Sequence, residues 1–333
     1  MKRAPIFPAP QFPPVKLRAF QRMPPAVFPA IMGLFGLGLA LRRGADVIGY
    51  PVAIAELALG AISFLWLFAA LGYLFKLSQR PAVIREDLAI LPGRAGLAAM
   101  SMCLFLLAAT ILPYAPNAAL ALVFLGLGLH AALVGLVVIV LANGPAEGRH
   151  VTPVWHLNFV GFIIAALTLA PLGYVALATA IFWATGLIAV GIWAVSLVQL
   201  IKRIPPAPLR PLLAIHLSPA SLLGLVAQLL GMQQAANGFA LLGGVILLAM
   251  LVAARWITQA GFSALWGAFT FPIAAYASLL LVMAGATGAD SPLVWLGALC
   301  LFAAIVIVPS IALKVLQAWT KGSLAAKTNA ATA

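Results

Sequence analysis

The chain has 333 residues, of which 65% are hydrophobic and 8% charged, and its mean hydropathy is +1.15. A soluble domain carries about 25% charged residues, so soluble enzymes, secreted domains and disordered chains are excluded. The 19 basic and 6 acidic residues give a net charge of +13. Because the basic residues lie between apolar runs, they suit a topology signal and anionic lipid headgroups rather than nucleic acid.

Residues 1–24 form a basic, proline-rich tail (Pro5, Pro8, Pro10, Pro13, Pro14). It lacks a continuous apolar stretch, so it reads as a polyproline-like segment at the inner leaflet and not as a signal peptide. Residues 25–318 read as one membrane domain. A membrane helix needs about 20 mostly apolar residues, and the runs between charged or Gly/Pro/Asn-rich breaks give ten. They are 25–41, 51–75, 95–115, 118–142, 152–171, 174–201, 211–230, 236–254, 262–286 and 292–316. Short breaks at 113–117, 171–173, 231–234 and 285–291 are tight hairpin turns. The expected fold is therefore an all-α polytopic membrane protein, ten transmembrane helices in five hairpins. Residues 319–333 are a tail, and Ser323 to Ala333 reads as polar and disordered.

Every lysine and arginine except Arg42 and Arg43 falls on one side of this arrangement. The positive-inside rule then puts both termini in the cytoplasm. Polar residues concentrate in the odd spans: Thr152, His156 and Asn158, then His216, Ser218, Ser221 and Gln228, then Thr270, Tyr276 and Ser278. Polar groups in hydrocarbon face the protein interior or a cavity, which places the odd helices inside and the even ones outside. Pro29, Pro153, Pro219 and Pro272 also sit in odd spans, where an interior proline frees a backbone carbonyl and kinks the helix. Pro219 would free the carbonyl of Ile215, and Pro272 that of Ala268. Pro309, in an even span, does not fit.

The chain has no Walker A sequence, HExxH or nucleophile elbow, so it is read as a non-enzyme without cofactor or metal. Cys103 and Cys300 lie apart in apolar runs, with no metal-ligand spacing. Glu56 lies within reach of Arg42 and Arg43 on the preceding loop, and a structural ion pair is the better reading there than a proton relay. His156 and His216 stand on inner spans, whereas His130 is structural.

Leu265-Trp266-Gly267-Ala268-Phe269-Thr270-Phe271-Pro272 resembles a segment of the tellurite-resistance/dicarboxylate transporter family, which includes bacterial TehA and the plant slow anion channels. Phe28 to Gly33, Thr152-Pro153 with His156-Leu157, Leu217-Ser218-Pro219-Ala220 and Lys314 to Gly322 match further family segments in order. The resemblance implies five inner helices around a central pore and a homotrimer with one pore per protomer. It also implies a phenylalanine plug midway, here Phe271, with Phe269 as the second candidate. Phe271 lies about ten residues into its span, near mid-membrane by the helical rise. Phe28, Pro29, Pro153, His156, Pro219, Pro272 and His216 are the expected pore-lining or kink positions.

The function expected is a gated anion channel or channel-like transporter of the inner membrane, for small inorganic or carboxylate anions, tellurite among them. The sign of the ion comes from the resemblance alone, since the sequence offers no charged ring. The alternative is a proton-coupled carrier of C4-dicarboxylates or oxyanions working through His156 or His216. A detoxifying membrane enzyme on the same histidines is weaker, for want of a nucleophile or acid pair.

Overall fold

The computed structural model describes residues 20–287 and 291–333. Among these residues there is no strand. The helices, in chain order, are α1 (Phe28–Ile48), α2 (Ala53–Gln79), α3 (Val83–Ala89), α4 (Leu91–Ile111), α5 (Pro116–Asn143), α6 (Ala166–Leu169), α7 (Val175–Lys202), α8 (Leu217–Leu229), α9 (Gln233–Val252), α10 (Ala254–Ile257), α11 (Thr270–Thr287), α12 (Pro292–Thr320) and α13 (Ser323–Lys327). Nine stretches of the described residues are long and apolar enough to cross a membrane. The fifth span of the sequence reading is the exception, a shorter apolar segment, His156–Leu169. It is broken into a π turn (His156–Val160), a 3-10 turn (Gly161–Ala165) and α6. The chain is an all-α polytopic membrane protein.

Burial divides the spans as their polarity does. In α1, α4 and the stretches through α8 and α11, 72–89% of the apolar segment is buried, against 17–39% in α2, α5, α7, α9 and α12. Among the described residues short turns join the first four inner spans to the next outer ones. Gly173 and Gly231 adopt positive φ of 85° and 72° in two of them, a conformation that costs a side-chain-bearing residue about 1–2 kcal/mol. The turn expected at 285–291 lies partly outside the described residues. The hairpin turns define one face of the bundle. The opposite, terminal face holds Gln21 and Ala333, joined by a backbone hydrogen bond of 2.9 Å from the Ala333 N–H.

Three features of the sequence reading change. First, the prolines do not kink continuous α-helices. Pro29, Pro219 and Pro272 stand in the first turn of α1, α8 and α11, each preceded by a 3-10 segment: Pro25–Val27, Ala207–His216 and Ala264–Phe269. A proline cannot donate to the carbonyl four residues back, so the turn before it closes on i→i+3 bonds instead. Second, α1 runs on to Ile48, so Arg42 and Arg43 belong to its last two turns and not to a loop. An apolar-run reading stops at the first charge, whereas here hydrogen bonding of Arg42 lets the helix continue.

Third, the C-terminal tail is ordered. It folds into α13 and then packs on the terminal face, where the Ala331 N–H donates to Asp87 Oδ1 at 2.9 Å and Arg80 donates to the Thr332 carbonyl at 2.7 and 3.0 Å. Asp87 is fully buried and paired with buried Lys76 at 2.7 Å, and Tyr73 donates to the same carboxylate at 3.0 Å. Lys76 also donates to the Met23 carbonyl at 3.0 Å, just ahead of the 3-10 turn that opens the first span. A buried charge pair is tolerable only when its remaining hydrogen-bond capacity is filled, and the tail fills part of it.

Candidate ion pathway

The first turn of α11 is pressed against α1. The Thr270 hydroxyl is shared between the Gly267 carbonyl at 2.7 Å and the Pro29 carbonyl at 3.2 Å. A Cβ at Gly33 would stand 2.1 Å from Thr270 Oγ1, and one at Gly36 would stand 2.9 Å from the Phe271 ring. Small residues thus let the two backbones approach closely, and they seat the Phe271 ring, which is buried, on the glycine face of α1.

That ring is a shared wall between two cavities. The one toward the terminal face is about 50 Å³ and is lined by Pro29 and Met32, Pro92 and Ala95, Leu157, Ile215 and Ser218, and Leu265 to Pro272 in part. The one toward the hairpin face is about 10 Å³ and is lined by Gly36, Leu39 and Arg43, Leu106, Leu167, Leu222 and Leu225, and Ala275 and Ser278. All five inner segments contribute to both. The smaller cavity has room for about one water molecule, so the arrangement is closed at and beyond Phe271.

The other expected positions fall into three groups. Pro29 and Pro272 line the larger cavity. His156 and Pro219 line a third cavity of about 20 Å³, bordered also by Met32 and Leu222. Phe28 is fully buried in the core, Pro153 sits in the turn ahead of the π segment, and neither borders these cavities. Phe269 stacks edge-on against Trp266 at 5.6 Å and borders none of them either.

His216 meets His156: Nε2 of His156 and Nδ1 of His216 are 3.0 Å apart, with the rings nearly perpendicular at 85°. That distance is a hydrogen bond in which one ring nitrogen donates and the other accepts, and His156 Nδ1 is buried without a partner. Trp193 donates to the His216 carbonyl at 3.3 Å, tying the pair to α7. The meeting of these two side chains was not readable from their separation of 60 residues. His130, by contrast, is satisfied: Nε2–H donates to the Asn158 carbonyl at 3.0 Å, leaving Nδ1 to accept from Ser101 at 2.7 Å. Among the described residues no group of three His, Cys, Asp or Glu side chains could hold a metal ion.

Glu56 forms the expected ion pair, but with Arg42 alone. The guanidinium grips both carboxylate oxygens at 2.6 and 2.7 Å, and it donates to the carbonyls of Ala109 at 3.1 Å and Thr110 at 2.8 Å. Arg43, which the sequence reading grouped with it, instead borders the hairpin-face cavity.

The family model of the voltage-dependent anion channels matches residues 22–316 of this chain. The chain belongs to that family. No curated protein matches it. Membership makes the protein an anion channel or transporter, and the resemblance drawn from five short motifs is borne out at the level of the family.

Proposed function

We propose that the chain is a gated anion channel, or a channel-like transporter, for small monovalent anions and oxyanions such as tellurite. It works in the inner membrane as a homotrimer with one pathway per protomer and both termini in the cytoplasm. The observation that carries this reading is the Phe271 ring standing between two cavities lined by the same five inner segments. A large apolar ring in a narrow apolar passage blocks an ion twice, by its volume and by excluding the water an ion must bring. Movement of that one side chain would join the two cavities. Apart from Ser218, the side chains lining the larger cavity are apolar, so an anion there is held weakly enough to leave again.

The test is voltage-clamped current through the protein in planar bilayers, with wild type and Phe271→Ala compared in chloride and nitrate. A small wild-type current that rises severalfold in the variant, with reversal potentials following the anion gradient, is the expected result. Absence of current in both forms, with labelled malate still entering proteoliposomes under a pH gradient, would reject the channel. It would favour a proton-coupled carrier of C4-dicarboxylates or oxyanions. That second reading has its own observation, the His156–His216 pair beside the pathway, because two hydrogen-bonded neutral imidazoles could take up a proton during a transport cycle.

A further inference from the structure

Of the side chains lining the three cavities around the axis, Arg43 is the only one with a permanent charge. It stands seven residues after Gly36 and four after Leu39, on one face of α1, and all three border the hairpin-face cavity. Its neighbour Arg42 shows how this bundle treats a charge that serves only structure: a carboxylate and two carbonyls occupy that guanidinium. Among the described residues Arg43 has no such partner. The ion pairs formed there are Arg42–Glu56, Lys76–Asp87 and Arg80–Glu86, and no hydrogen bond joins Arg43 to a side chain or carbonyl. Asp46, one turn further along α1, is exposed and is paired with neither arginine.

We propose that Arg43 is the anion-coordinating group of the hairpin-face half of the pathway and sets its preference for negative ions. The inference rests on reading the cavities as an ion pathway. A guanidinium drawn out of bulk water without a counter-ion is costly, and an anion passing beyond Phe271 is the counter-ion that none of the described residues supplies. The remaining walls supply apolar residues and one hydroxyl, Ser278, so a cation there meets a like charge that no side chain of those walls offsets. With Phe271 in place the space of about 10 Å³ takes no anion. The site forms only when the ring withdraws, which keeps the charge from trapping an ion in the closed state.

The experiment compares Phe271→Ala with the double variants carrying Arg43→Gln, Arg43→Lys or Arg43→Cys, in bilayers under a potassium chloride gradient. A focused charge changes the local counter-ion concentration by about tenfold or more. Arg43→Gln is therefore expected to cut the current by about tenfold and to move the reversal potential from the chloride value toward zero, while Arg43→Lys keeps both. Arg43→Cys reads charge on one folded protein. A cationic methanethiosulfonate added from the hairpin face should restore current and an anionic one should not, native Cys103 and Cys300 being buried. Equal currents and reversal potentials with and without the charge would overturn the assignment. Should Phe271→Ala itself carry no current, the channel reading falls but Arg43 is still tested by uptake of labelled nitrate into proteoliposomes. A severalfold rise in the half-saturating concentration for Arg43→Gln supports the site, and an unchanged value refutes it.

Discussion

The two ends of the inner ring are built by different means. Toward the hairpin face, α1, α8 and α11 are regular α-helices that close on leucines, alanines and glycines and leave about 10 Å³ between them. Toward the terminal face, the first, fifth, seventh and ninth spans begin in 3-10 or π turns, with a proline just after the turn in the first, seventh and ninth and just before it in the fifth, and the cavity is about 50 Å³. Regular helices with small residues in register can be sealed by packing alone. Irregular turns put side chains out of register, so they leave room and need anchoring from elsewhere. The Lys76–Asp87 network supplies it by holding the Met23 carbonyl and the C-terminal tail.

The largest effect is expected where that anchor is cut on one side. Lys76→Met leaves the buried Asp87 carboxylate unpaired and should destabilise the fold by about 3–5 kcal/mol, read as a lower Tm in detergent. Lys76→Met with Asp87→Leu should recover most of the loss, because removing both charges removes the uncompensated one. The same Tm in the single and double variants would show that the tail, and not the charge pair, holds this end. The next effect belongs to the sealed region. Gly33→Ala forces a Cβ to 2.1 Å from Thr270 Oγ1 and 2.2 Å from its Cβ, an overpacking worth about 1–3 kcal/mol. Gly128→Ala on outer helix α5 meets nothing within 4 Å and should leave the Tm unchanged or slightly raised. If the two glycines behave alike, the close seat of α11 on α1 is not what seals the ring.

Weaker still is the bond that joins the two regions. Thr270→Val removes the hydroxyl shared by the Pro29 and Gly267 carbonyls, at a cost of about 1 kcal/mol. It loosens the turn that carries Phe271, and basal anion current should rise, though by less than in Phe271→Ala. Unchanged current with a lowered Tm would mean that the ring is held by Gly36 and its neighbours alone.

Much of this contrast was legible in the sequence, and the part that was not has a physical pattern. Composition and the placement of polar residues marked inner from outer spans, because hydrocarbon penalises a polar group wherever it points outward. The prolines marked the right spans, yet the 3-10 and π character beside them was missed: an apolar run is compatible with any helix period when both faces are buried. Contacts between distant elements were also hidden. His156 and His216 meet only because the fifth and seventh spans are neighbours, and the Lys76–Asp87–Ala331 contact joins residues 244 positions apart at its far end. Arg42 and Arg43 look equivalent as a pair of adjacent charges, but successive residues on a helix point about 100° apart, so one reaches Glu56 and the other the cavity.

The smallest expected effect bears on what holds Phe271 in place. Pro272→Ala restores an N–H that can donate to the Ala268 carbonyl, so the 3-10 segment Ala264–Phe269 is free to adopt α geometry. Over six residues that change shortens the segment by about 3 Å and turns its ends by about 120° relative to one another. The Thr270 end is pinned to α1 through the Pro29 carbonyl and the Gly33 contact. The motion is therefore taken up at the Ala264 and Leu265 end, in the wall of the larger cavity, and the ring stays seated against Gly36. Stability should change by less than about 1 kcal/mol, and basal current should stay near the wild-type level, unlike that of Phe271→Ala. A current as large as that of the alanine variant would mean that the proline itself, and not the helix packed beside it, keeps the passage shut, and the sealed region would then begin one turn nearer the terminal face than the packing of α1 on α11 implies.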